Sequence, residues 1–196
     1  RTGCVSSSAR WSRARTGPRQ SEQKTKSTAI GGASCFRKNI LNAAIDPKFD
    51  GDDEMIRRYT ERDIDAVMQI WLDTNIQAHY FISPDYWRTN RGMVREMLPH
   101  AEIYVHEDDS TKQINGFIGL NDNYIEGIFV KEADQSKGIG KQLLDHVKRV
   151  KPTLSLCVYQ KNKKAIRFYL REKFSIRSEN VDDETGEKEF VMGWDR

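Results

Sequence analysis

Six consecutive residues, Gln135-Ser136-Lys137-Gly138-Ile139-Gly140, stand between an apolar run, Tyr124 to Val130, and an amphipathic stretch, Ile139 to Val150. Strand, glycine-bearing turn and helix in that order make an anion cradle. Glycine at 138 and 140 lets the backbone take positive φ and lets a ligand come close, so several N–H groups of the turn can converge on one anion. The following helix adds unbonded N–H groups and the positive end of its dipole, worth about 0.3–1 kcal/mol and up to roughly 2 in a partly buried site. A diphosphate suits this chemistry, although glycine pairs also occur in ordinary turns. Other chemistries find less footing. Cys4, Cys35 and Cys157 are odd in number and far apart, without a C-x-x-C pair, which argues against a disulfide framework or a zinc site. No Cys-His or Ser-His arrangement stands at readable spacing. Cys157 lies in the apolar run Leu154 to Val158 and reads as a small buried hydrophobe.

The elements around the turn follow from periodicity. Met55 to Tyr59 reads as a first strand, and Thr60 with Asp63 three residues on is close to a capping box. Ile64, Val67, Met68, Trp71 and Leu72 then recur at helical spacing, predicting a helix over Glu61 to Asn75. Ile76 to Ser83 has no clean period and is expected as a loop, followed by a helix from Asp85 to Leu98 that stops at Pro99. Ile103 to His106, Ile114 to Leu120 and Tyr124 to Val130, divided by turn-prone segments, predict an antiparallel meander. A helix over Ile139 to Val150 ends at Lys151-Pro152. A buried strand over Leu154 to Val158, a helix over Lys161 to Glu172, and strands at Ser175 to Arg177 and Glu189 to Met192 complete the chain. The order predicts an α/β (α+β) domain: a mixed sheet with helices packed on it.

Charge is unevenly spread. The 196 residues carry a net +3, but residues 1–50 hold 10 Lys/Arg against 3 Asp/Glu, so the remainder sums to −4. Residues 1–34 are rich in Ser, Thr, Arg and Gly and lack apolar periodicity, so they cannot bury enough surface to offset the entropy of ordering. Residues 1–50 are therefore expected as a disordered basic leader, whether targeting segment, solvated tail or non-native sequence, and residues 51–196 as one domain. No stretch approaches the ~18 apolar residues that span a bilayer. A cytoplasmic protein is expected.

With the elements in this order, residues 55–196 resemble the GNAT family of N-acetyltransferases, whose acetyl-CoA site uses Q/R-x-x-G-x-G/A after the fourth strand. Gln135, Gly138 and Gly140 match that motif, and Asn162, Ala165, Phe168 and Tyr169 match the family's second signature on the helix after strand five. Tyr86-Trp87-Arg88 and Val158 to Asn162 further resemble small bacterial members, protein lysine acetyltransferases of the YiaC type among them. The resemblance implies a largely antiparallel sheet of six to seven strands, helices on both faces, and a splay between strands four and five. It implies acetyl-CoA as cosubstrate and no metal.

Carried onto this chain, backbone groups of Ile128 to Val130, Phe129 included, would flank the pantetheine arm. The diphosphate would meet Gln135, Ser136, Lys137, Gly138, Ile139, Gly140 and Lys141, with Asn162, Ala165 and Phe168 completing the cofactor wall. The resemblance gives Tyr169 the general-acid role. Glu126 is the candidate base, because strand alternation puts it on the face of Tyr124, Ile128 and Val130. The strand-four glutamate of many relatives would align with Tyr124 instead. His79, Tyr80, Phe81 and Tyr124 are expected on the acceptor side, with His79 an alternative base. The implied reaction is direct acetyl transfer to a primary amine, a protein lysine or a small molecule, in a ternary complex. A non-catalytic acetyl-CoA sensor is the competing reading. Neither membrane nor nucleic acid is an expected partner, and the chain is expected as a monomer or homodimer.

Overall fold

The computed structural model describes residues 55–196; the expectations for the leader, and for cysteine pairing through Cys4 and Cys35, lie outside the described residues. Strand β1 (Ile56–Arg58) leads through a 3-10 turn (Glu61–Asp63) into α1 (Ile64–Ala78) and α2 (Pro84–Met97). The meander β2 (Glu102–Glu107), β3 (Ile114–Asn121) and β4 (Tyr124–Val130) follows. Then come α3 (Ile139–Val150), β5 (Thr153–Tyr159), α4 (Lys163–Arg171), β6 (Ser175–Val181) and β7 (Lys188–Asp195). The seven strands form one sheet in the order β1-β2-β3-β4-β5-β7-β6, at the upper end of the expected count.

Local chemistry sets the helix boundaries. Thr60 and Asp63 form the capping box in full, and the Thr60 N–H donates to the Asp63 carboxylate at 2.8 Å. Arg57 adds two donors to Asp63 at 2.7 and 2.9 Å. Burial alone would raise the Asp63 carboxyl, but the Arg57 and Thr60 hydrogen bonds outweigh it and hold the group at about 2. Ser83 caps α2 by accepting from the Asp85 N–H, with Pro84 at the first helical position. α1 runs to Ala78, three residues past its expected end, so His79 closes a helix rather than sitting inside a loop.

Strand alternation divides the core between the two faces of the sheet. Tyr104, Ile118 and Val158 pack with Ile139, Leu143, Leu144 and Val147 of α3. Their neighbours Ile103, Val105, Phe117 and Tyr159 pack with Val67, Trp71, Trp87 and Val94 of α1 and α2. Each fully buried aliphatic contributes roughly 1.5–3 kcal/mol, so the α3 stripe alone anchors the turn that precedes it.

All strand pairs are antiparallel except β4 and β5, which share a single registered parallel pair, Tyr124 with Ser155. Beyond that pair the strands part. In the gap, the Tyr124 hydroxyl accepts the Cys157 N–H at 3.2 Å, replacing a ladder bond that the parting removes.

Candidate active site

The parting of β4 and β5 opens a cleft with two connected chambers of about 530 and 630 Å³. Ile128, Val130, Gln135, Lys164, Ala165 and Tyr169 line both and mark their junction. The inner chamber runs between β4, β5 and the end of α1; the outer one lies between the Gln135–Lys141 turn and α4.

The turn is built to receive an anion. Among the described residues, no backbone N–H from 136 to 140 donates to a backbone carbonyl. Two residues of the turn are left-handed, Gly138 at φ 92° and Ser136 at φ 64°, the conformation that forms anion-binding nests of successive N–H groups. Gly140 is an ordinary helical residue without positive φ. A Cβ there would stand 3.6 Å from the Phe168 ring, in ordinary van der Waals contact. Gln135 braces the loop, its Nε2 donating to the Val130 carbonyl at 3.1 Å. Such a cradle fits a diphosphate, held by N–H groups and the α3 dipole. The lysines expected to help are engaged elsewhere: Lys137 with Asp134 at 2.9 Å, Lys141 with Asp145 and, at 4.0 Å, Glu172. Lys137 and Ile139 line neither chamber; Ile139 is buried in the core.

Asn162 and Tyr169 position the floor. The Asn162 carbonyl oxygen caps α4 by accepting the Ala165 N–H at 3.1 Å. That bond fixes the amide orientation, so Nδ2 faces His79 Nε2 at 3.4 Å as a donor and the His79 proton belongs on Nδ1. Tyr169 stands at the chamber junction, 8 % exposed, between Phe168 and Phe174. Burial pushes its phenol well above the usual range, so it keeps its proton.

Glu126 lines the inner chamber at 4 % exposure, but not by simple alternation. The β3–β4 register pairs Gly119 with Gly127 and Leu120 with Ile125, leaving Glu126 as the extra residue of a β-bulge. In consequence Ile125 packs in the same core cluster as Ile128 and Val130, a grouping that alternation through Tyr124, Glu126 and Ile128 forbids. Tyr124 lies across the strand gap and lines neither chamber.

On the acceptor side His79 and Tyr80 line the inner chamber; Tyr80 is 80 % exposed at its mouth. Phe81 lines neither chamber. It meets His79 and Tyr159 edge-on and carries the Lys161 ammonium 5.2 Å above its ring. His79 is stacked on Trp87 at 5.2 Å and edge-on to Tyr159 at the same distance. Burial in this aromatic shelf pulls the imidazole down to about 4. Sequence reasoning did not single out the end of α1, where Thr74, Asn75 and Ala78 face the chamber, or Lys164, Arg167 and Arg171 on α4. The 164, 167, 171 spacing was a legible signal for one helical face.

Comparison with known proteins agrees with the geometry. Residues 99–176 match the model of the acetyltransferase (GNAT) domain. The chain is 34 % identical over 142 residues to peptidyl-lysine N-acetyltransferase YiaC of Escherichia coli strain K12, covering 71 % of this chain and 96 % of that protein. It is 25 % identical over 131 residues to peptidyl-lysine N-acetyltransferase YjaB of the same strain, covering 67 % and 88 %. The apo solution structure of Escherichia coli YjaB superposes with a TM-score of 0.64 at 25 % identity, covering 71 % of this chain and 95 % of that one. A parted β4–β5 pair, a cradle of unused N–H groups before α3, the paired sequence signatures and these likenesses carry one conclusion: the chain belongs to the GNAT family of acetyl-CoA-dependent acetyltransferases.

Proposed function

We propose that this protein transfers the acetyl group of acetyl-CoA directly to a primary amine, the side chain of a protein lysine, within one ternary complex. The observation that carries this reading is Tyr169 at the junction of the two chambers, one bounded by the N–H cradle and the other opening past Tyr80. Similarity to two peptidyl-lysine N-acetyltransferases of Escherichia coli supports a peptidyl-lysine acceptor, as does the −4 balance of residues 51–196.

When bound, acetyl-CoA supplies an activated thioester; the chain's work is to orient and to move protons. Holding two reactants in line supplies several of the ~7–11 kcal/mol available from proximity. A lysine ammonium with an ordinary pKa of ~10.4 costs about 4.6 kcal/mol to neutralise at pH 7. Glu126, on the chamber wall, takes that proton directly or through one water. His79 does not: moving a proton from such an ammonium to an imidazole held at about 4 is uphill by roughly 9 kcal/mol. Its place is to brace Asn162 and the aromatic shelf. Tyr169 gives its phenolic proton to the departing thiolate. Phenol-to-thiolate transfer is uphill by roughly 2 kcal/mol in water, and the dry surroundings that raise the phenol raise the thiol with it, so burial need not widen that gap.

The test is to incubate the full chain with acetyl-CoA and lysine peptides while following free thiol. Release that depends on the peptide, with intersecting double-reciprocal lines, is expected. Parallel lines would point to an acetyl-enzyme, and no release above hydrolysis on any acceptor would favour a cofactor-binding sensor.

A further inference from the structure

We propose that Lys164, Arg167 and Arg171 form a second anion site that holds the 3′-phosphate on the ribose of CoA, so that the enzyme prefers acetyl-CoA to 3′-dephospho-acetyl-CoA. This rests on the acetyl-CoA reading of the cleft and adds to it a selective element on α4.

The spacing of the three residues puts them on one face of α4, and all three are exposed and line the outer chamber. Among the described residues none of them forms an ion pair, in contrast to Lys141 on the opposite wall, which pairs with Asp145 and Glu172. The chamber's two carboxylates are already engaged: Asp134 with Lys137 at 2.9 Å, and Glu172 with Lys141 at 4.0 Å. Three uncompensated cations on neighbouring turns repel one another. A ligand carrying negative charge in addition to the diphosphate relieves that repulsion.

The diphosphate does not need them. Five unused N–H groups from residues 136 to 140 and the α3 dipole already face it. The 3′-phosphate is a monoester with up to two charges and three terminal oxygens, a group that guanidinium forks grip in pairs. Position agrees as well. A Cβ at Gly140 would stand 3.6 Å from the Phe168 ring, which sets the first turn of α3 against the middle of α4. Lys164 sits at the chamber junction, whereas Arg167 and Arg171 line only the outer chamber, beyond the thioester end.

The experiment measures the dissociation constants of acetyl-CoA and 3′-dephospho-acetyl-CoA by calorimetry at one ionic strength, for the full wild-type chain and the triple variant Lys164→Gln/Arg167→Gln/Arg171→Gln. Wild type is expected to prefer acetyl-CoA by about tenfold or more, as charge-assisted contacts allow. The triple variant should bind acetyl-CoA no better than its dephospho form, with affinity for the latter unchanged within about twofold. A matched thermal midpoint confirms that the variant is folded. Equal wild-type affinities overturn the proposal, as does a variant that weakens both ligands alike, since the cations would then serve the diphosphate. Wild type that binds neither ligand removes the acetyl-CoA reading itself.

Discussion

Glu126 and His79 line the same chamber in contrasting surroundings. His79 is packed on Trp87, Tyr159 and Phe81 and stays neutral through the working pH range, while Glu126 is carried to the chamber wall by a bulge. If Glu126 accepts the amine proton, Glu126→Gln should lower kcat/KM at pH 7 by about 10² or more. Activity should recover as pH approaches the amine's own ~10.4, where the acceptor arrives neutral. A pH-rate profile measures this; an equal loss at every pH would make Glu126 a structural residue. Alternation put Glu126 on the chamber side for an incomplete reason, because the bulge that carries it there depends on how β3 pairs and leaves no mark in β4 itself. The charges of Lys137 and Lys141 were legible too, but their partners Asp134 and Asp145 matter more than their proximity to the turn.

At the scale of elements, the turn before α3 is the most constrained segment. Gly138 takes φ 92° with open space around it, so Gly138→Ala meets backbone strain and no steric clash. A loss of about 1–2 kcal/mol in unfolding free energy is expected, together with weaker binding of acetyl-CoA, because the strain is relieved by turning N–H groups away from the anion. Denaturant melts read beside ligand titration test this; unchanged affinity would show that the cradle does not depend on that conformation. The glycine signature made Gly138 readable. Ser136 was not, since its left-handed φ of 64° belongs to a residue type that usually avoids it. The extra turn of α1 also escaped periodicity, because Gln77 and Ala78 face the chamber, leaving Ile76 alone to continue the apolar stripe into the core.

Across the whole molecule, the sheet was legible because each strand carries its own pattern, and the parting of β4 from β5 followed from the family signatures rather than from either strand. What pattern could not show is the polar cluster at the β6–β7 hairpin. Tyr159 donates to Asp182 at 2.6 Å there, and Glu189 is fully buried with Asn180 donating to its Oε1 at 3.2 Å. Burial raises the Glu189 carboxyl to about 7, with nearby Asp182 and Asp183 adding to the rise and the Asn180 bond opposing it. Because the folded value exceeds the ordinary 4.5, the protonated group favours folding below about pH 4.5, and that contribution fades as pH climbs through 7. Glu189→Gln should thus stabilise the protein above neutrality by up to about 3 kcal/mol. Melting temperatures from pH 5 to 9 should converge at the acid end, and parallel curves would contradict the assignment.

The central claim is that the parted strands hold the thioester against Tyr169. Its most direct test is the steady-state comparison of wild type with Tyr169→Phe, using acetyl-CoA and a lysine peptide at pH 7. The account predicts a fall in kcat of about 10² or more with the KM for acetyl-CoA nearly unchanged, since only the transferred proton is removed. Wild-type kcat in the phenylalanine variant would contradict it.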